Sequence, residues 1–273
     1  MFLLLTSIIV ALLVTLYLPL AAGLWLNKRL GVTWRVILYG VMGYLIVQNL
    51  KTLLVREFTL LVEGGTIVLS EESLFIWQVF ISILLAALLG VLVRWAGMRF
   101  IKENLNTLES SYGLGVGYGG AESVMLVGLP LLSTFITMLL NMNIDPQTTA
   151  LEPEIAAQIQ ALWQVPFYVP LAGSIERIAA LVMHITVTVL VLQSFVRRNS
   201  AWLVAAFGLE VLVNGLIAGL AQIGLGYGWV ILLSIVLMGG NLFVLYRLRA
   251  FEFDITKGSE TSLENEEPED GLK

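Results

Sequence analysis

Apolar runs fit to cross a bilayer recur about seven times along this chain, near residues 2–26, 36–50, 74–93, 112–142, 175–196, 201–222 and 228–246. A helix needs about 20 predominantly apolar residues to span a hydrocarbon layer of about 30 Å, and these runs with their flanks supply that length repeatedly. They are continuous rather than alternating, which selects helices over barrel strands. Hydrophobic residues make up 58% of the 273 and charged residues only 13%, more apolar surface than one water-soluble core can hide. The fold class expected is therefore all-α: a polytopic transmembrane helical bundle of about seven crossings, or eight if 51–70 also enters, with the lipid bilayer as its first partner. No nucleic-acid partner is expected.

The joints between the runs give the sidedness, because basic loops stay on the cytoplasmic side. Lys28, Arg29 and Arg35 mark the first joint, Arg94, Arg99 and Lys102 the third, Arg197 and Arg198 the fifth, and Arg247 and Arg249 follow the last run. The intervening joints are acidic or neutral: Lys51 and Arg56 stand against Glu57, Glu63, Glu71 and Glu72, while 143–174 carries Asp145, Glu152 and Glu154. Seven crossings with the N-terminus outside and the C-terminus cytoplasmic satisfy every joint together. The first run has no basic residue ahead of it and is followed by Asn27, Lys28 and Arg29, so it reads as a signal-anchor that stays in the mature protein.

Two segments stand apart from the membrane domain, 1–250. Residues 251–273 hold eight acids against Lys257 and Lys273 and read as a disordered acidic tail; without it, thirteen basic residues face twelve acidic ones. In the long external joint, Pro153 can open a helix over about 151–165 whose Ile155, Ile159, Leu162 and Trp163 share one face, an amphipathic segment expected on the membrane surface. Pro166 and Pro170 then separate it from the next crossing. The chain has no cysteine, which removes disulfides, thiolate metal sites and cysteine nucleophiles. No internal repeat supports an inverted-repeat transporter.

Titratable side chains inside crossings cost several kcal/mol unless they face a partner or a watery cavity, so each asks for a reason. Glu122, Glu176, Arg177, His184 and Glu210 qualify, with Asn214 beside the last. Glu122 follows glycines at 113, 115, 117, 119 and 120, a run that lets another helix or a bound group approach the backbone. Glu176 and Arg177 are read at the start of the fifth crossing, where both could snorkel to water; adjacent helical residues point about 100° apart, so pairing between them is not required. Arg177 and His184, seven apart, return to one stripe about 10 Å apart along the axis. Glu210 and Asn214, four apart, share a face that suits two oxygen ligands or one interhelical hydrogen-bonded pair. Close packing and a shared polar cavity are both open for this set.

The segment Gly115-Val116-Gly117-Tyr118-Gly119-Gly120-Ala121-Glu122, followed by Glu176-Arg177 and His184, resembles the YhfC family of intramembrane metalloproteases, relatives of the CPBP and PrsW membrane proteases. The likeness runs from about residue 75 to about residue 220. It implies an active site within the membrane, in the plasma membrane of a bacterial-type cell, where glutamates and histidine, with a divalent metal such as Zn2+, activate water against a membrane peptide or protein substrate. By position Glu122, Glu176, Arg177 and His184 match; with the resemblance, Glu122, Glu176 and His184 are the catalytic candidates, His184, Glu210 and Asn214 the metal donors, and Tyr118, Gly119, Gly120 and Arg177 the supporting residues. Three positions depart from the family pattern. Tyr118 stands where histidine is usual, the stretch from Val91 to Arg99 has arginines but no glutamate where a Glu-Glu pair and an arginine are usual, and Glu210 and Asn214 replace a His and an Asp. With one histidine in the chain, a three-histidine site is excluded. A non-catalytic scaffold or partner subunit, and a carrier for a small or lipidic molecule, are the alternatives.

Overall fold

The computed structural model describes residues 2–101, 105–142, 153–222, 224 and 226–250. Lys102, Asp145, the first two residues of the amphipathic segment (Glu152 among them) and the acidic tail 251–273 lie outside them. Among the described residues, seven helices are long and apolar enough to cross a membrane: Phe2–Leu30, Trp34–Glu63, Glu71–Phe100, Leu108–Leu140, Tyr168–Val196, Ala201–Gln222 and Tyr227–Arg247, the first to seventh crossings. A shorter helix, Pro153–Gln164, lies between the fourth and fifth. No strand occurs among the described residues. The chain is an integral membrane helical bundle. Residues 51–63 continue the second crossing, so no eighth one forms there.

Helix ends follow local chemistry. Gly31 at φ 64° ends the first crossing in the left-handed conformation that glycine adopts without strain. Ser70 starts the third by accepting from the Ser73 amide at 3.2 Å, with Glu71 and Glu72 in the first turn. Thr107 does the same for the fourth, accepting from the Ser110 amide at 3.1 Å. Thr107→Ala should lower stability by about 1 kcal/mol, read as a lower thermal midpoint in detergent; an unchanged midpoint would show that the cap contributes nothing there.

Two crossings contain a π-helical turn, Leu13–Tyr17 and Val124–Gly128, and each is followed by a proline, Pro19 and Pro130. Proline has no amide to return to the carbonyl four residues back, and the helix accommodates the loss by widening one turn. For Pro19 the residue four back is Thr15, and its carbonyl accepts instead from the Ser123 hydroxyl of the fourth crossing at 3.1 Å. A local defect becomes a bond between helices, as it must where no water is at hand.

The first half of the fourth crossing, through the glycine run, is buried on nearly every face. It packs on the second and fifth crossings so closely that backbones touch. A methyl group at Gly117 would collide with the Ile37 carbonyl, and one at Gly40 with the Leu114 carbonyl. This interlock presents the end of the glycine run, with Tyr118 and Glu122, to the fifth crossing. The amphipathic helix behaves differently from a pure surface helix. Ile155 stays exposed, while Ile159 is buried and Leu162 and Trp163 dock against Leu4, Ile8 and Met138.

Candidate functional site

Glu122, the first of the sequence candidates, sits one turn beyond the interlocked glycines and faces the fifth crossing. His184 Nε2 lies 2.8 Å from Glu122 Oε2, and Arg177 Nη1 donates to Glu122 Oε1 at 3.0 Å. The seven-residue spacing of Arg177 and His184 has the consequence read from it: both meet one partner from the same stripe. Glu176 and Arg177, however, are two turns inside a helix that starts at Tyr168 rather than at its entrance. They also pair: Arg177 Nε donates to Glu176 Oε2 at 2.8 Å and Nη2 donates to the other Glu176 oxygen. The third partner explains this. Glu122 draws the guanidinium inward and Glu176 follows it, instead of both snorkelling to water.

The sequence places Arg94 among the loop charges, but the third crossing runs on to Phe100 and Arg94 lies inside the bundle, its side chain 3% exposed. Its Nη2 lies 2.9 Å from His184 Nδ1, and its Nη1 donates to Glu210 Oε2 at 3.3 Å. The Tyr118 ring covers the guanidinium at 3.9 Å, a cation–π contact in a desolvated setting. Tyr118 also lies edge-on to Tyr44, with ring centroids 5.4 Å apart. Arg94 is the residue that sequence reading missed. The signal for it was present: it is flanked by Val91, Leu92, Val93 and Trp95, with no polar joint around it.

The outcome is a chain of contacts from Glu176 through Arg177, Glu122, His184 and Arg94 to Glu210, drawn from four crossings. Along it lies a cavity of about 290 Å³ whose wall includes Lys51, Glu122, Glu176, Arg177, Glu210 and Asn214. Lys51, read as part of an external joint, is on the second crossing and faces this cavity. Glu122 keeps 18% of its side chain accessible, whereas His184 behind it keeps 1%. Asn214 shares the cavity with Glu210, but among the described residues no side-chain bond joins the two. Of the supporting residues, Gly119 lies directly over His184 and Gly120 over Pro19 of the first crossing.

The resemblance implies a divalent metal, and the donor set does not fit one. Each carboxylate is already paired with a guanidinium: Glu122 and Glu176 with Arg177, Glu210 with Arg94. Lys51, Arg94 and Arg177 match Glu122, Glu176 and Glu210 in formal charge, so a dication would have to displace a buried guanidinium. Both nitrogens of His184 are engaged. Among the described residues no group of three His, Asp or Glu side chains is arranged to hold an ion.

Comparison with known proteins bears on the same residues. The family model described as YhfC intramembrane metalloprotease matches residues 12–237. An "Uncharacterized membrane protein YhfC" from Bacillus subtilis (strain 168) is 24% identical over 208 residues, covering 72% of this chain and 77% of that protein. No solved structure matches. The family match takes in at least part of every crossing and the whole Glu122–Arg177–His184–Glu210 set, and the chain belongs to the YhfC intramembrane metalloprotease family.

Proposed function

We propose that this protein is a membrane-embedded peptidase that activates water with a carboxylate, Glu122, without a resident metal. The supporting observation is the setting of Glu122: it stands on the wall of a half-open cavity between crossing helices, fixed by Arg177 at one oxygen and by His184 at the other. As the oxygen of a water bonds to a peptide carbonyl carbon, its proton passes to Glu122. Glu122 then returns the proton to the departing amine as the C–N bond breaks. Arg177 and Asn214 face the cavity and supply donors for the oxyanion, Glu176 holds Arg177, and His184 orients Glu122 from behind. The substrate class is a membrane peptide or the membrane segment of a protein, because the cavity lies between crossing helices. The relative in Bacillus subtilis supports a bacterial plasma membrane as the location.

The test is cleavage of quenched fluorescent transmembrane peptides by the purified protein in lipid vesicles, with products identified by mass spectrometry. Glu122→Gln should lower the rate by about 10²-fold or more, the scale of a lost general base. Undiminished cleavage would overturn the assignment.

A non-catalytic scaffold is favoured by one observation, the pairing of all three carboxylates with guanidinium groups, Glu122 and Glu176 with Arg177 and Glu210 with Arg94, as a purely structural network requires. On that account the wild type cuts no peptide, and Glu122→Gln changes only the thermal midpoint.

A further inference from the structure

We infer that Arg94 is a positioning residue that holds His184 in one neutral tautomer, with the proton on Nε2, making the single histidine of this chain a hydrogen-bond donor to Glu122 instead of a metal ligand. Only the consequence for Glu122 rests on the peptidase reading; the tautomer stands whether or not the protein cuts anything.

The guanidinium offers N–H groups and no acceptor. With Nη2 2.9 Å from Nδ1, the contact is a hydrogen bond only if Nδ1 presents its lone pair. A neutral ring then carries its proton on Nε2, which faces an acceptor, Glu122 Oε2, at 2.8 Å. The other tautomer reverses both contacts, setting proton against guanidinium and lone pair against carboxylate. The doubly protonated ring keeps the Glu122 bond but sets N–H against N–H at Nδ1.

Arg94 is not free to turn away. Glu210 holds Nη1 at 3.3 Å and Tyr118 covers the guanidinium face. The groups facing His184 are Arg94 from the third crossing, Glu122 and Tyr118 from the fourth, and Glu210 from the sixth. Glu210 Oε1, at 4.0 Å from Nδ1, is too distant to accept a bond from it.

This order is the opposite of a metal site. A metal-bound histidine donates from its free nitrogen to a carboxylate or carbonyl, which fixes the tautomer and strengthens the ligand. Here that nitrogen meets a donor. Binding a metal through Nε2 would require an anionic ring or the loss of the Arg94 contact. Arg94 and Tyr118 act on His184 together, the guanidinium on Nδ1 and the ring over the guanidinium. This stack leaves His184 a donor to Glu122.

One histidine per chain makes the test direct. The full-length protein, labelled with [15N]histidine and placed in lipid nanodiscs at neutral pH, gives two ring-nitrogen signals. These are assigned by their couplings to the ring protons. The expected result is one protonated nitrogen, Nε2, with the Nε2–H form in at least about tenfold excess over the other. Equimolar Zn2+ should leave both signals in place. In Arg94→Met, Nδ1 loses its hydrogen-bond donor, so its signal should move away from the wild-type position. Arg94→Lys, which still offers only donors, keeps the wild-type pattern.

A protonated Nδ1 in the wild type, or a zinc-dependent shift at Nε2, would overturn the proposal. So would an Nδ1 signal in Arg94→Met that matches wild type. If the methionine variant does not fold, the wild-type and lysine spectra still decide. Peptide cleavage is a separate readout: its absence, with the tautomer as stated, counts against the peptidase reading alone.

Discussion

Arg94→Met should lower the free energy of unfolding by about 3 kcal/mol, measured by thermal or detergent denaturation in micelles. The loss leaves Glu210, 2% exposed, without its guanidinium, and breaking a buried pair from one side typically costs about 3–5 kcal/mol because an unmatched charge stays behind. The double variant Arg94→Met with Glu210→Gln removes the stranded carboxylate and should recover at least half of the loss. Arg197→Met makes a useful contrast. Arg197 is exposed and bonds Gln193 and the Trp202 face, so its removal should cost less than about 1 kcal/mol. An Arg94→Met protein as stable as wild type would mean that the buried pair is not formed.

The second large effect is steric. Gly117→Ala should destabilise the bundle by about 3 kcal/mol, the upper part of the usual range for overpacking. The added methyl meets a main-chain carbonyl, that of Ile37, and not the flexible end of a side chain. The second and fourth crossings must move apart to admit it. Gly40→Ala strikes the Leu114 carbonyl across the same interface and should behave alike. Gly215→Ala, in the sixth crossing with nothing within 4 Å of the new methyl, should be neutral or slightly stabilising through the unfolded chain. Equal midpoints for the 117 and 215 variants would rule out the interlock. The separation has a functional side as well, since Tyr118 and Glu122 are carried by the same helix. Gly117→Ala should therefore also disturb the Glu122–His184 contact.

Much of the site was legible in the sequence, and for identifiable reasons. Glu122, Arg177 and His184 were conspicuous because each is costly in an apolar helix and two of them recur at a helical spacing. Their convergence was not legible. Arg94 and Lys51 were assigned to joints because a charge near the end of an apolar run is ordinarily interfacial. Only the true extents of the second and third crossings, Trp34–Glu63 and Glu71–Phe100, draw the two residues inward. The angle between neighbours does not require the Glu176–Arg177 pair in an isolated helix. A third charge across the interface changes the preferred rotamers.

Crossing number and fold class were fixed locally, because hydropathy and helix length are properties of some 20 neighbouring residues that no distant contact can alter. The charge pairing was fixed globally. Arg177 reaches Glu122 across 55 residues of chain, and Arg94 reaches Glu210 across 116. In a low-dielectric interior every ion needs a partner, but sequence spacing says nothing of which one a given packing will bring within 3 Å. The glycine interlock and the proline-freed carbonyl of Thr15 set that packing, and through it they decide that the lone histidine lies between a carboxylate and an arginine.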